Sequence, residues 1–296
     1  MTKGAKILIT GGNGFIARNL AEQLGDECLV TTCNSSELNL LDTNQVFQYL
    51  KSNSFNIVIH AATYDPAPKY STKDPAKVLE NNLKMFFNLV RCQDYYDKML
   101  YFGSGAEFDR TNWQPKMKED YFDRHVPVDQ YGLSKYIMTK YTQMSKKIIN
   151  LRVFSVFGKY EDWRYRFISK ACCCAIFDLP IVIRKNVYFD YLYVDDFVRI
   201  VKWFVDNNPK KQVYNVCSGQ SVDYKTIAEQ VVEISGKKLD IVVEAEGLNP
   251  EYSGENSLLL SEVGRVKMRS LDESIKDLYN WYESVKSTLD RKELSK

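Results

Sequence analysis

The chain contains few histidines and no closely spaced cysteine pair of the C-x-x-C type. It contains two histidines, His60 and His125, and seven cysteines without a C-x-x-C pair. We therefore expect no histidine-based metal centre, zinc site or disulfide framework. Cys172, Cys173 and Cys174 are consecutive, and neighbours along a helix do not share a face, so packing is favoured over a redox role.

The sequence also lacks an excess charge of one sign and a long apolar run. Its 40 basic and 38 acidic residues leave a formal net charge of +2, which gives no reason to expect a nucleic-acid partner. No apolar run approaches the roughly 20 residues of a membrane span, and the start MTKGAKILITGG does not resemble a signal peptide. A soluble, reduced, cytoplasmic protein without a membrane partner is expected.

What the chain does have is a regular alternation of strand and helix patterns. Its 45% hydrophobic residues can fill a large core. Helices are predicted directly after the Gly-rich turn at 11–14, at 75–96 and at 130–147, between strands at 6–10, 28–33, 56–60, 99–102 and 149–154. This alternation predicts an α/β fold with a Rossmann-type doubly wound parallel sheet.

The pattern loosens after residue 155, which predicts a smaller α/β C-terminal lobe. Residues 1–155 are assigned to the Rossmann domain, with some later segments returning to it, and residues 156–296 mainly to the lobe. Predicted helices lie near 163–177, 195–206, 223–235 and 272–288, and predicted strands near 187–191, 213–216 and 239–243.

A glycine-rich turn joins the first strand to the first helix. Residues Gly12–Ala17 fit the G-x-G-x-x-A pattern, in which glycines let a pyrophosphate approach the backbone and the helix start supplies free N–H donors. A dinucleotide contacting Gly11, Gly14, Phe15 and Ile16 is therefore predicted. A ligand-free turn is the alternative, but strand, turn and helix all agree with the motif.

The end of the second strand bears on which dinucleotide is bound. NAD-binding sites usually have an acidic residue about 20 positions after the glycines, and here that place falls among Cys33, Asn34, Ser35 and Ser36. Small hydroxyl and amide groups suit a 2′-phosphate, so NADP(H) is favoured over NAD(H). Glu37 weakens this argument, and Arg18 is the nearest basic candidate in the first helix.

Hydride-transfer chemistry is indicated by a tyrosine and a lysine four residues apart. Tyr131 and Lys135 share one face of a predicted helix, and Ser104 ends a strand before it. A neighbouring ammonium stabilises a phenolate, which suits Tyr131 for acid–base work. The same spacing recurs at Tyr136/Lys140 and Tyr282/Lys286, where we expect surface pairs.

Several motifs in order along nearly the whole chain resemble the extended short-chain dehydrogenase/reductase family of nucleotide-sugar epimerases, dehydratases and reductases. These are TGGNGFIA, HAA, FGSGAEF, YGLSK, LRVFSVFGKY and FDYLYVDD, and SSELNLLD is similar to GDP-fucose synthase and related 4-keto-sugar reductases. The resemblance implies a nucleoside diphosphate sugar substrate bound by the C-terminal lobe. It also implies further cofactor contacts at Asn39, Leu40, Ala61, Ala62, Thr63 and Phe154, besides Tyr131 and Lys135.

The resemblance also suggests substrate contacts, with some departures from the family. Ser155 replaces a common Asn and Phe189 a common Arg, so Arg164 and Arg166 are candidates for the diphosphate, with solvated helix positions as the alternative. Glu107 is a candidate for a sugar hydroxyl, or else a plain solvent-facing or structural carboxylate. Ser155 and Phe108 complete the predicted substrate contacts, whereas Asp195 and Asp196 are expected to start a helix and contact the lobe.

Two uninformative-looking positions narrow the reaction that the resemblance implies. Gly105 and Ala106 stand where dehydratases carry an acidic pair, and Ala106 stands where the epimerising relatives carry a cysteine. No histidine follows His125. An NADP(H)-dependent reductase of a 4-keto sugar is therefore favoured, with an NAD-dependent 4-epimerase or C4 dehydrogenase as the alternative.

A different class of function and the oligomeric state also stay open. A dinucleotide-binding sensor or scaffold without turnover is the other class, although all three catalytic residue types are retained. The family often forms homodimers through two helices, which here correspond to residues 80–97 and 132–147. Burial within a monomer explains the apolar faces of those helices equally well.

Overall fold

Six parallel strands form the central sheet, and their order across it is 213–216, 148–153, 98–104, 57–60, 6–10 and 29–33. The computed structural model describes residues 4–66, 71–264 and 266–294. The strands are β1 (Lys6–Thr10), β2 (Leu29–Cys33), β3 (Ile57–His60), β4 (Lys98–Ser104), β5 (Ile148–Val153), β6 (Val156–Phe157), β7 (Ile181–Asn186), β8 (Tyr188–Asp190), β9 (Leu192–Tyr193), β10 (Val213–Val216), β11 (Ser221–Asp223) and β12 (Ile241–Leu248).

Helices cover both faces of this sheet and build the C-terminal lobe. They are α1 (Phe15–Leu24), α2 (Thr43–Asn53), α3 (Val78–Val90), α4 (Gln130–Met144), α5 (Phe167–Ile176), α6 (Val194–Asp206), α7 (Tyr224–Ser235), α8 (Ser257–Val263), α9 (Leu271–Ser284) and α10 (Arg291–Leu294). The predicted Rossmann-type parallel sheet is confirmed. Among the described residues, no helix combines the length and apolar character needed to cross a membrane.

Strand alternation divides the central core between the two faces. Ile7 and Ile9 of β1 pack with α1 and α6, whereas Leu8 between them packs with α2 and α3. All three side chains are fully buried. Because successive strand residues point to opposite faces, a strand buried on both sides is apolar throughout, as β1 and β3 are.

Helix α2 is the main element that the sequence patterns missed. Its sequence is mostly polar, and only Val46 and Leu50 are buried. The helix is instead fixed by its ends: the Asp42 carboxylate accepts hydrogen bonds from the Asn44 and Gln45 amides, and Ser54 ends it in a left-handed conformation. Capping without a broad apolar stripe gave too weak a periodic pattern to be recognised.

The C-terminal lobe packs around α5, α7 and α9. Cys172, Cys173 and Cys174 are buried in its core, and burial raises the pKa of all three thiols, as expected for packing residues. The parallel pair of β7 and β12 flanks this core, and β7 was not predicted. By contrast, β10 pairs with β5 in the central sheet, and α6 packs on the face occupied by α1.

A buried ion pair lies beneath the carboxyl ends of the central strands. The Glu107 carboxylate pairs with Arg152 of β5, and both side chains are fully buried. Thr139 of α4 donates to Glu107 at 2.7 Å, and Arg152 donates to Asn215 of β10 at 2.9 Å. One carboxylate thus joins α4 to β5, and Arg152 joins β5 to β10.

The burial of Glu107 corrects the prediction that Glu107 and Phe108 contact substrate. Neither side chain reaches the surface. Glu107 faces Arg152 and Thr139. The centroid of the Phe108 ring lies 4.3 Å from the Cζ atom of the Arg152 guanidinium. An isolated carboxylate is too costly to bury, and only the distant Arg152, invisible as a partner in the sequence, makes this position possible.

We expect Arg152→Met to lower the free energy of unfolding by about 3–5 kcal/mol, because it leaves the Glu107 charge buried and unpaired. Urea unfolding followed by circular dichroism measures the change. Lys225→Met is the control, since its pair with Glu229 is exposed and such pairs contribute at most about 1 kcal/mol. Equal losses in the two variants would contradict the assigned role of the buried pair.

Candidate active site

A cleft of about 1570 Å³ opens where the parallel strands end and the C-terminal lobe begins. In open parallel sheets the ligand site lies at the carboxyl ends of the strands, so the location follows from the topology. The cleft is lined by many of the residues predicted for cofactor and substrate: Phe15, Ile16, Ala61, Ala62, Thr63, Ser104, Tyr131, Lys135, Phe154, Ser155, Arg164 and Arg166.

The glycine-rich turn has the shape that a dinucleotide needs. Gly11 adopts φ +74°, and a Cβ there would lie 2.9 Å from the Ala62 Cα. Gly14 is the N-cap of α1 without a side-chain cap, and the first turn carries no acidic residue. The amides at the start of α1 therefore face the turn without a capping side chain, which suits a pyrophosphate.

The turn after β2 is closed by its own side chains. The Asn34 side-chain oxygen accepts from the Ser36 amide at 2.9 Å and from the Ser36 hydroxyl at 2.6 Å. Glu37 folds back, so that its carboxylate accepts from the Asn34 amide at 2.9 Å. The turn therefore carries a negative charge after all, and Ser35 beside it is exposed.

The structure also places the other residues predicted near the adenosine end of the dinucleotide. Asn39 is exposed just before α2, and the Leu40 side chain packs in the core beneath it. Arg18 does not turn toward Asn34: its guanidinium lies over the Tyr160 ring, 3.6 Å from the centroid. No basic side chain is placed in the turn to offset Glu37 among the contacts of the described residues.

Ser104, Tyr131 and Lys135 come together at the bottom of the cleft. Ser104 ends β4, and Tyr131 stands in the first turn of α4, whose N-cap Asp129 accepts from the Gly132 amide at 2.9 Å. The Ser104 hydroxyl lies close enough to the Tyr131 phenol to lower its pKa. One helical turn later, the Lys135 ammonium donates to the Phe102 carbonyl at 2.9 Å.

Burial shifts both titrating groups of this trio. It raises the pKa of Tyr131, the Asp65 carboxylate adds to that shift, and the Ser104 hydroxyl opposes it. Burial lowers the pKa of Lys135 to about 8, against the opposing charges of Glu107 and Asp65. Tyr131 is therefore protonated at neutral pH and can act as a proton donor.

The two other Tyr-x-x-x-Lys pairs do not line the cleft. Tyr136 and Lys140 both bind Asp123 at the surface, as expected. Tyr282 differs from the expectation of a surface pair, because it is fully buried and donates to the Glu161 carbonyl. The surroundings, and not the spacing, separate Tyr131 from these copies.

The predicted diphosphate arginines lie in the loop before α5 and not within a helix. Arg164 forms two 2.9 Å hydrogen bonds with the Asp162 carboxylate, and Arg166 is the N-cap residue of α5. Both line the lobe side of the cleft, as do Lys170 and Arg184. This concentration of cations suits an anionic group.

Trp113, Tyr252 and Asp65 are among the cleft residues that the sequence patterns missed. Trp113 and Tyr252 pack ring on ring, with centroids 4.2 Å apart, and Asp65 lies near Tyr131. In the sequence, Gly254, two positions after Tyr252, is a clue to close packing. In the structure, a Cβ on Gly254 would lie 2.6 Å from the Phe154 ring. One tyrosine among 20 could not be selected on that basis.

The fold and the glycine-rich turn define an α/β protein of the dinucleotide-binding type, and comparison with known families agrees. Residues 7–217 match the NAD dependent epimerase/dehydratase family, to which this chain therefore belongs. It is an NAD(P)-dependent enzyme of the extended short-chain dehydrogenase/reductase type, as the motifs predicted.

Individual relatives are distant. The ADP-L-glycero-D-manno-heptose-6-epimerase of Brachyspira hyodysenteriae is 23% identical over 83% of this chain and 86% of its own length. A GDP-mannoheptose C4 reductase from Campylobacter jejuni superimposes with a TM-score of 0.83 at 18% identity, covering 96% of this chain and 99% of its own. A GDP-L-fucose synthetase from Naegleria fowleri gives 0.86 at 15%, covering 98% and 96%.

Glu37 provides a test of dinucleotide preference. We expect Glu37→Gln to shift the ratio of the dissociation constants for NADPH and NADH about tenfold toward NADPH, because it removes a charge that repels a 2′-phosphate. Titrations of intrinsic protein fluorescence measure both constants. Glu229→Gln, on an exposed face of α7, serves as the control, and an unchanged ratio in Glu37→Gln would place the adenosine ribose elsewhere.

Proposed function

We propose that this protein is a reductase of a nucleotide-activated 4-keto sugar and uses NADP(H). The observation that carries the proposal is that Ser104, Tyr131 and Lys135 line the same cleft, with Lys135 one helical turn from Tyr131 on α4. The cations of the lobe side, Arg164 and Arg166 among them, suit the diphosphate of such a substrate.

Each residue of the trio has a separate task in this reaction. When bound, the reduced nicotinamide supplies a hydride. Tyr131 gives its proton to the C4 oxygen, so that the carbonyl becomes an alcohol, and Ser104 holds that oxygen by a hydrogen bond. The Lys135 ammonium stabilises the resulting phenolate until Tyr131 is protonated again.

The positions after Ser104 supply nothing beyond this exchange. Gly105 has no side chain, and the methyl group of Ala106 is buried. Neither position therefore supplies an acid or a thiol to eliminate water or to invert a carbon beside the carbonyl. Hydride exchange at a single carbon is the chemistry that remains, as reduction or as 4-epimerisation.

Tyr131→Phe tests the mechanism. We expect kcat for 4-keto nucleotide sugars to fall by about 10²–10⁴-fold while cofactor affinity is kept, because only the proton donor is lost. NADPH absorbance measures turnover across a panel that varies in base and sugar. Tyr136→Phe removes the hydroxyl of the surface copy and should behave as wild type. Near-normal turnover by Tyr131→Phe would refute the mechanism, and binding without turnover by wild type would favour a sensor or scaffold.

A second candidate, an NAD-dependent 4-epimerase, is favoured by one observation. Glu37 places a carboxylate in the turn after β2, where an acid suits the ribose hydroxyls of NAD. In epimerisation a hydride leaves C4 and returns to the other face without net change in the cofactor. An epimerase must therefore retain its dinucleotide through turnover.

The dinucleotide that co-purifies with the protein separates the two candidates. For a reductase we expect NADP(H), or no retained dinucleotide, because oxidised cofactor must leave after each turnover. Mass spectrometry of acid-released ligand from the freshly purified protein makes the measurement. Stoichiometric, tightly held NAD would overturn the reductase in favour of the epimerase.

A further inference from the structure

Tyr252 reaches the bottom of the cleft from a distant part of the chain. A Cβ on Gly105 would lie 2.6 Å from the Tyr252 hydroxyl oxygen and 2.8 Å from its ring. The phenol therefore occupies the space that any side chain at position 105 would need. The missing side chain beside Ser104 is thus the consequence of a second tyrosine at the site.

The chain holds this tyrosine in place from both sides. The Tyr252 amide donates to the Tyr188 carbonyl and its own carbonyl accepts from the Asp190 amide, both at 3.0 Å. Its ring packs between Trp113 and Phe154, with centroid distances of 4.2 and 5.2 Å, and only 4% of the residue is exposed. A side chain fixed in this way presents its hydroxyl group at one place.

The Ser104 hydroxyl can form only as many hydrogen bonds as the groups around it require. Its oxygen accepts from the Ala106 amide at 3.2 Å, and the phenols of Tyr131 and Tyr252 lie close enough to Ser104 for its hydroxyl to influence the pKa of both. A serine hydroxyl has one proton to donate and two lone pairs. If Ala106 and Tyr252 use the lone pairs, the proton is left for the side of Tyr131 and the substrate.

We propose that Tyr252 is a positioning residue for the reaction, whose phenol donates to Ser104 and thereby directs the single Ser104 proton toward the oxygen shared with Tyr131. The proposal rests on the reductase function proposed above. Burial raises the pKa of Tyr252 well above its usual range, so the phenol keeps its proton and is available to donate it.

A double-mutant cycle tests this role. Wild type, Tyr252→Phe, Ser104→Ala and the double variant are compared in kcat, KM and cofactor dissociation constant. Phenylalanine keeps the ring that packs against Gly105 and removes only the hydroxyl. We expect Tyr252→Phe to lower kcat about tenfold with KM and cofactor binding nearly unchanged, and to have less than about a twofold effect when Ser104 is already alanine.

Tyr121→Phe is the matched control. Tyr121 belongs to the same buried aromatic cluster, but its hydroxyl donates to the Asn112 carbonyl at 2.7 Å. We expect it to keep the wild-type kcat, since it removes a buried phenol oxygen away from Ser104. Its behaviour shows whether loss of a hydroxyl from this cluster disturbs the cleft by itself.

The possible results separate this inference from the proposed function. A wild-type kcat in Tyr252→Phe, or an equal effect of that change with and without Ser104, would overturn the positioning role and leave the reductase intact. A tenfold loss in Tyr121→Phe as well would overturn it in favour of general packing. If the wild-type protein reduces no sugar of the panel, the proposed reductase function is refuted, and the positioning role that rests on it is refuted as well.

Discussion

The pairing of Glu107 with Arg152 is the interaction on which the rest of the site depends. It holds the segment after β4 against β5, while Thr139 and Asn215 extend the contact to α4 and β10. Ser104 and the tyrosine helix are therefore fixed relative to each other by groups that never meet solvent. A buried charge pair is a weak source of stability but a strict geometric constraint, because neither partner can move without stranding the other.

The same network passes beneath Gly103 of β4. The Asn150 side chain accepts from the Gly103 amide at 3.0 Å and donates to Thr139 at 2.7 Å. The strand that ends at Ser104 is thus bonded to α4 through a side chain of β5 as well as through Glu107. This is why a serine at a strand end and a tyrosine on a helix, far apart in sequence, can share one hydrogen-bonding site.

Local patterns were sufficient for the central fold and for the catalytic candidates. Buried strands such as β1 and β3 are continuous apolar runs. The glycine-rich turn between a strand and a helix is a specific signal for dinucleotide binding, because few other sequences combine these features. The family comparison confirmed the fold and the class of enzyme, and the roles of Ser104, Tyr131 and Lys135 remain predictions.

What the sequence patterns did not show were individual contacts, some between neighbouring residues and some between distant ones. Helix α2 depends on its caps, Glu107 on Arg152, and the shape around Gly105 on Tyr252. Glu37 was visible, but not its turn back onto the Asn34 amide. Glu107 and Gly105 gain their meaning from partners that only the folded chain brings near, so spacing carries no trace of them. The contacts of Asp42 and Glu37 are local, but they form no periodic pattern.

Tyr252 lies beyond the stretch, residues 7–217, over which the chain matches its family. The part of the molecule that identifies the enzyme class and the part that closes one wall of its cleft are thus encoded separately. Substitutions in the short segment around Tyr252 can change the shape of the cleft next to Ser104 while every family motif is kept. In this chain, the late segment that packs on the strand end thus sets the shape of the cleft beside Ser104 independently of the family motifs.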